Sequence, residues 1–175
     1  MRIYEGGPRQ DWEEVLRSVG AHLDERGMRN LVFLESDTGL IVQGTSVSTG
    51  TGSAWGESMG QAKRETLMLD DDQVGGFMDE ALARRGQAPE STAHHYEEQL
   101  RVIGRFLDEK KPRDVLLFEV DGAYIARLSV AGQGGVKSEL VEFTPDDITD
   151  MIAKAPELRR PDTPAKPADP GGSVR

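Results

Sequence analysis

The chain has 175 residues, no cysteine, and 31 acidic against 21 basic residues, which gives a net charge of −10. Disulfides, thiolate metal sites, iron–sulfur clusters and a cysteine nucleophile are therefore excluded, and the charge disfavours nucleic acid and anionic membranes as partners. No apolar stretch approaches the roughly 18 residues of a membrane span, and the N-terminus lacks an apolar signal core, so we expect a cytoplasmic protein that does not contact a membrane.

The chain begins with a predicted helix and a strongly apolar strand. Apolar residues recur every three or four positions from Trp12 to Leu23, which is typical of one buried helix face, and Gly27 then ends the helix. Residues 31–34 are four consecutive apolar residues. Such a run indicates a strand that is covered on both faces.

Two further strands and a second helix complete the first half of the chain. The strands are predicted at residues 40–47 and 65–69, and a helix begins at the acidic run 70–72. Acidic side chains in the first turn of a helix are stabilised by its dipole. We therefore interpret this run as a helix cap and not as a divalent-cation site.

The segment 48–60 is an insertion between the second and third strands. It is rich in Gly, Ser and Thr and contains one tryptophan. Its glycine spacing does not predict a dinucleotide site, because such a site needs a helix immediately after the glycines. Ser53, Trp55 and Glu57 are candidate ligand- or partner-binding residues, and a mobile loop without a specific role is the alternative.

The second half of the chain repeats the first. Residues 12–37 align with residues 96–121 without a gap, and 11 of the 26 pairs are identical. The identical pairs include Glu13/Glu97, Arg17/Arg101, Gly20/Gly104, Asp24/Asp108 and Glu35/Glu119. The remaining predicted elements of the second half are strands at 115–118, 123–130 and 139–143 and a helix that follows Thr144.

This repeat predicts an α+β fold made by tandem duplication of an αβββα unit, with pseudo-twofold symmetry and antiparallel sheet covered by helices. The expected organisation is one repeat over residues 1–86, a second over 87–160, and a disordered proline-rich tail over 161–175.

The two first strands, residues 31–34 and 115–118, are the most continuously apolar segments of the chain. An apolar strand at the edge of a sheet would promote aggregation, so we expect these two strands to pair antiparallel in the centre of one six-stranded sheet. The predicted order is 3-2-1-1′-2′-3′. Helices cover one face, and the other face is partly apolar and open to a partner or a second copy.

Two pairs of charged residues occupy equivalent positions in the two halves. Arg29 and Glu35 in the first half correspond to Arg113 and Glu119 in the second. They are candidates for paired charged sites, although ordinary salt bridges and solvent-facing strand ends explain the same pattern. No metal site is expected, since His22, His94 and His95 do not have the spacing of metal ligands.

The sequence carries no catalytic motif, so we predict no catalytic residues and no cofactor. The predicted plan resembles chaperone folds of bacterial secretion systems and shares its duplication with PUR-type nucleic-acid modules, both at the level of the fold alone. We expect a non-enzymatic adaptor, chaperone-like or regulatory protein that binds another protein or itself. The alternatives are a small-ligand binder or unrecognised enzyme that uses the 48–60 loop, and a nucleic-acid-binding module of PUR-like plan.

Overall fold

The computed structural model describes residues 11–47, 62–84 and 95–155. The candidate residues Ser53, Trp55 and Glu57 and the predicted proline-rich tail lie outside the described residues. The fold is α+β, as predicted. In chain order the elements are α1 (Trp12–Glu25), β1 (Met28–Ser36), β2 (Gly39–Val47), β3 (Ala62–Asp70), α2 (Asp71–Arg84), α3 (Tyr96–Lys110), β4 (Asp114–Val120), β5 (Ala123–Gly132), β6 (Gly135–Phe143) and α4 (Pro145–Lys154).

All six strands form one antiparallel sheet in the order β3-β2-β1-β4-β5-β6, which is the predicted order. The two most apolar strands, β1 and β4, are therefore neighbours at the centre. Their pairing places Val32 opposite Phe118 and Leu34 opposite Leu116. This ladder joins the two halves of the chain through backbone hydrogen bonds.

The helices pack on one face of this sheet, and the core lies between them. Phe33 and Leu117 face each other across the β1–β4 pair and are almost completely buried among the helix residues. Their neighbours in sequence point to the opposite face, because strand side chains alternate. The expectation that the first strands are covered on both faces is therefore met on one face only, since Leu34 is 44% exposed.

The caps of α2 and α4 have the predicted side chains. The Asp70 carboxylate accepts the backbone N–H of Gln73 at 2.8 Å, and the Gln73 side chain accepts the N–H of Asp70 at 3.0 Å. Thr144 forms the equivalent capping box with Asp147 at the start of α4. The start of the acidic run 70–72 thus serves as a helix cap, as its sequence indicates.

Helices α1 and α3 cap each other. The first two backbone N–H groups of α3 donate to the Asp24 carboxylate near the end of α1, at 3.1 and 3.0 Å. The first two N–H groups of α1 donate to the Asp108 carboxylate near the end of α3, at 2.8 and 2.9 Å. Each helix therefore satisfies backbone donors that its partner could not satisfy alone.

The same two helices approach closely at two glycines. A Cβ atom on Gly20 would lie 2.6 Å from the carbonyl oxygen of Tyr96, and one on Gly104 would lie 2.3 Å from that of Trp12. Only glycine fits at such distances. The interface is completed by two ion pairs across the helices, Arg17 with Glu97 at 3.0 Å and Arg101 with Glu13 at 3.3 Å.

Candidate functional site

The face of the sheet that points away from the helices is the candidate site, and we call it the open face. Two rows of side chains cross all six strands on this face, as the strand registers show. Row 1 consists of Met68, Ile41, Leu34, Leu116, Arg127 and Leu140. Row 2 consists of Thr66, Gln43, Val32, Phe118, Ile125 and Glu142.

Large apolar side chains are exposed on this face. Met68 is 73% exposed and Leu140 is 72% exposed, although large apolar side chains of this kind are usually buried. The described residues include five exposed large apolar side chains, and strand alternation places all five on the open face. They are Leu34, Met68, Val120, Val136 and Leu140. Several exposed apolar side chains on one face mark an interaction site more often than single ones scattered over the surface.

Rows 1 and 2 of the open face are close to electrically neutral, although the chain as a whole is acidic. The two rows contain one cation, Arg127, and one anion, Glu142. Gln43 in β2 and Thr66 in β3 are the polar uncharged residues of row 2, and a hydrogen bond of 3.3 Å joins them. Phosphate backbones are bound by clustered Lys and Arg. Arg127 in β5 and Arg64, which shares this face in β3, are separated by three strands and do not form such a cluster.

Among the four residues of the predicted charged pairs, Glu119 makes two hydrogen bonds within the described part of the chain. Its carboxylate accepts the hydroxyl of Tyr96 at 2.8 Å and the backbone N–H of Leu31 at 3.1 Å. The first donor lies in α3, which packs on the sheet, and the second lies in β1, a strand of the same sheet. Glu119 therefore has a structural role on the helix side, away from the open face.

The other three residues of these pairs are Arg29 and Glu35 in β1 and Arg113, which directly precedes β4. Arg29 and Arg113 are exposed, and the backbone N–H of Arg113 donates to Ser129 at 2.6 Å. Glu35 lies four residues along β1 from Leu31, the neighbour of Glu119, which separates the two carboxylate positions by about 13 Å. The hypothesis of paired charged sites at these positions stays a prediction.

The perturbed ionisable groups near the helices are explained by packing. Burial raises the pKa of Tyr96, and its hydrogen bond to Glu119 raises that pKa further. Burial also raises the pKa of Tyr124, whose hydroxyl donates to Gln99 at 2.7 Å. Burial likewise raises the pKa of Asp108, the carboxylate that caps α1. Both tyrosines stay protonated at neutral pH and act as hydrogen-bond donors within the core.

The described residues were also compared with the requirements of a metal site and of a membrane span. In the part of the chain that the structure describes, no group of three His, Asp or Glu side chains is arranged to hold a metal ion. No helix within the described ranges is both long and apolar enough to span a membrane.

Sequence reasoning predicted an open apolar face but did not name its residues. The signal was present in the continuous apolar runs of β1 and β4, where alternate residues must point to opposite sides. Met68 and Leu140 lie in the outer strands and carry no comparable signal, since an isolated apolar residue is common on protein surfaces. Only the register places them in the same row.

Comparison with known proteins gives no relative: no protein-family model matches the chain, and neither the curated proteins nor the solved structures contain a significant match.

Proposed function

We propose that this protein is a non-enzymatic binding protein whose open face packs against another polypeptide chain. The observation that carries the proposal is the position of the exposed apolar side chains, which share one face of the sheet. The free energy falls when exposed apolar surface is removed from water, and another polypeptide chain that packs on this face would remove it. The proposed role is that of an adaptor, chaperone-like or regulatory protein, and the cytoplasmic location stays an expectation from the sequence.

The open face favours a protein over the other partner classes. A site for a small molecule is a concavity with a few convergent polar groups, whereas this face offers a broad apolar surface. Nucleic acid is disfavoured by the net charge of −10 and by the single cation in the two rows. The alternative of a ligand site at the 48–60 loop stays a prediction, since it lies outside the described residues.

We also infer that the two αβββα stretches arose by tandem duplication and are related by a pseudo-twofold axis. The mutual contacts of α1 and α3 support this inference, because they use residues that are identical in the two halves. Asp24 and Asp108 cap opposite helices, and Gly20 and Gly104 make equivalent close approaches. A duplicated unit keeps such residues because each copy supplies what the other one needs.

Site-specific photocrosslinking tests the proposed function. A photoreactive amino acid replaces Met68 in the full chain, and its matched control replaces Lys137, an exposed residue on the helix side of an outer strand. Irradiation in the native host should attach another polypeptide chain at position 68 and little or none at position 137. Equal trapping at both positions, or no polypeptide trapped at position 68, contradicts the proposal.

A polypeptide identified in this way is then purified and mixed with the protein. Met68→Glu should weaken its binding by at least about tenfold, since a buried carboxylate without a partner costs more than 1.4 kcal/mol. Lys137→Gln changes the net charge by the same amount and should leave binding unchanged.

A further inference from the structure

We propose that the chain that packs on the open face is a second copy of this protein, so that two six-stranded sheets form a face-to-face dimer. The inference rests on the proposed function, because it names the partner of the same face. Packed sheets lie about 10 Å apart, with strand directions within about 30° of each other. In the dimer, rows 1 and 2 of both copies form a second core.

The sequences of β1 and β4 are those of strands covered on both sides. Val32, Leu34, Leu116 and Phe118 are as apolar as the core residues that alternate with them. Strands buried on both faces have continuous apolar runs, whereas a strand with one solvated face alternates with polar residues. The described helices cover one side of these strands, and the second copy covers the other.

The open face has the size that a stable dimer requires. Six strands about 4.8 Å apart and about nine residues long present a face of roughly 29 by 30 Å, or about 850 Å². A specific protein–protein interface buries about 800 Å² on each partner. One sheet face therefore supplies a complete interface, without any contribution from the edges of the molecule.

A twofold axis parallel to the strands, between β1 and β4, makes the open face complementary to itself. This axis places β3 over β6 of the partner subunit. Row 1 then lies over row 1 of the partner subunit, and row 2 lies over row 2. Met68 then faces Leu140 of the partner subunit, so that the two most exposed apolar side chains cover each other. At the centre, Leu34 faces Leu116 of the partner subunit.

The charges of the open face also suit this arrangement. Arg127 faces Ile41 of the partner subunit, and its aliphatic stem covers that residue while the guanidinium reaches the rim. Glu142 faces Thr66 of the partner subunit, whose hydroxyl can donate to the carboxylate. In this arrangement no two like charges face each other within rows 1 and 2.

Thiol crosslinking of mixed variants tests both the dimer and its register. The chain has no cysteine, so introduced cysteines are the only reactive thiols. Met68→Cys and Leu140→Cys are made in separate full-length chains, mixed, and treated with a short thiol-specific crosslinker. The mixture should give at least about tenfold more covalent dimer than either variant alone, since the axis separates the two copies of residue 68 by about 24 Å.

Two controls accompany this experiment. A mixture of Met68→Cys with Lys137→Cys should crosslink only at the background level, because residue 137 faces the helices. Sedimentation of the unmodified chain should give twice the monomer mass of 19.2 kDa.

A monomer at every concentration, or equal crosslinking in all mixtures, overturns the inference. A monomeric chain that still captures a different polypeptide through Met68 refutes the dimer alone, whereas a Met68 position that traps no polypeptide refutes the proposed function.

Discussion

At the scale of single residues, the positions that are identical in the two halves connect α1 to α3. Asp24 and Asp108 each accept two backbone N–H groups from the opposite helix. Gly20 and Gly104 allow the two backbones to approach within contact distance. The sequence comparison identified these pairs, but it could not show that they meet, because identity between repeats carries no information on distance.

The glycines give a direct prediction for stability. Gly20→Ala should lower the free energy of unfolding by about 1–3 kcal/mol, since the added methyl group forces backbone apart in a packed interface. Gly104→Ala should lower it by a similar amount. Urea unfolding of the purified variants measures both effects.

Gly76 in α2 provides the matched control, because none of the described residues lies within 4 Å of a Cβ atom built there. Gly76→Ala should raise the free energy of unfolding by about 0.5–1 kcal/mol, since alanine is the better residue within a helix. If all three substitutions have the same effect, the close approach of α1 and α3 is wrong.

At the scale of elements, the order of the sheet could be predicted from composition. The two most apolar runs belong at the centre, where both of their edges are paired, and the structure has them there. Hairpin connections then fix the neighbours of β1 and β4. The position of Met68 and Leu140 on the open face could not be predicted, because it depends on registers that isolated apolar residues do not specify.

Adjacent residues of β4 separate the two faces of the sheet. Leu117 is fully buried on the helix side, so Leu117→Ala should lower the free energy of unfolding by about 2–5 kcal/mol. Leu116 lies in row 1 of the open face, and Leu116→Ala should lower the stability of the monomer much less.

Leu116→Ala should instead weaken association with the chain that covers the open face. Urea unfolding at low concentration and sedimentation over a concentration series separate the two effects. Equal losses of monomer stability for Leu116→Ala and Leu117→Ala would contradict the assignment of these residues to opposite faces.

At the scale of the whole molecule, the large apolar side chains are distributed unevenly. The helices and the sheet bury one apolar core, and the exposed large apolar side chains of the described residues lie on the opposite side of the sheet. The exposed apolar side chains on one face of the sheet are the physical basis for a binding role. They are recognised as one surface only when the strand registers and the burial of the side chains are considered together.

The methyl group of Met68 reports most directly on whether the open face binds a polypeptide. Methionine-methyl NMR on the full chain compares it with Met28 and Met78, which are buried in the core. As the concentration rises, or when a trapped partner is added, the Met68 signal should shift and lose its exposure to a soluble paramagnetic agent, while the core signals stay constant. A Met68 methyl group that remains exposed and unshifted under both conditions would contradict the account.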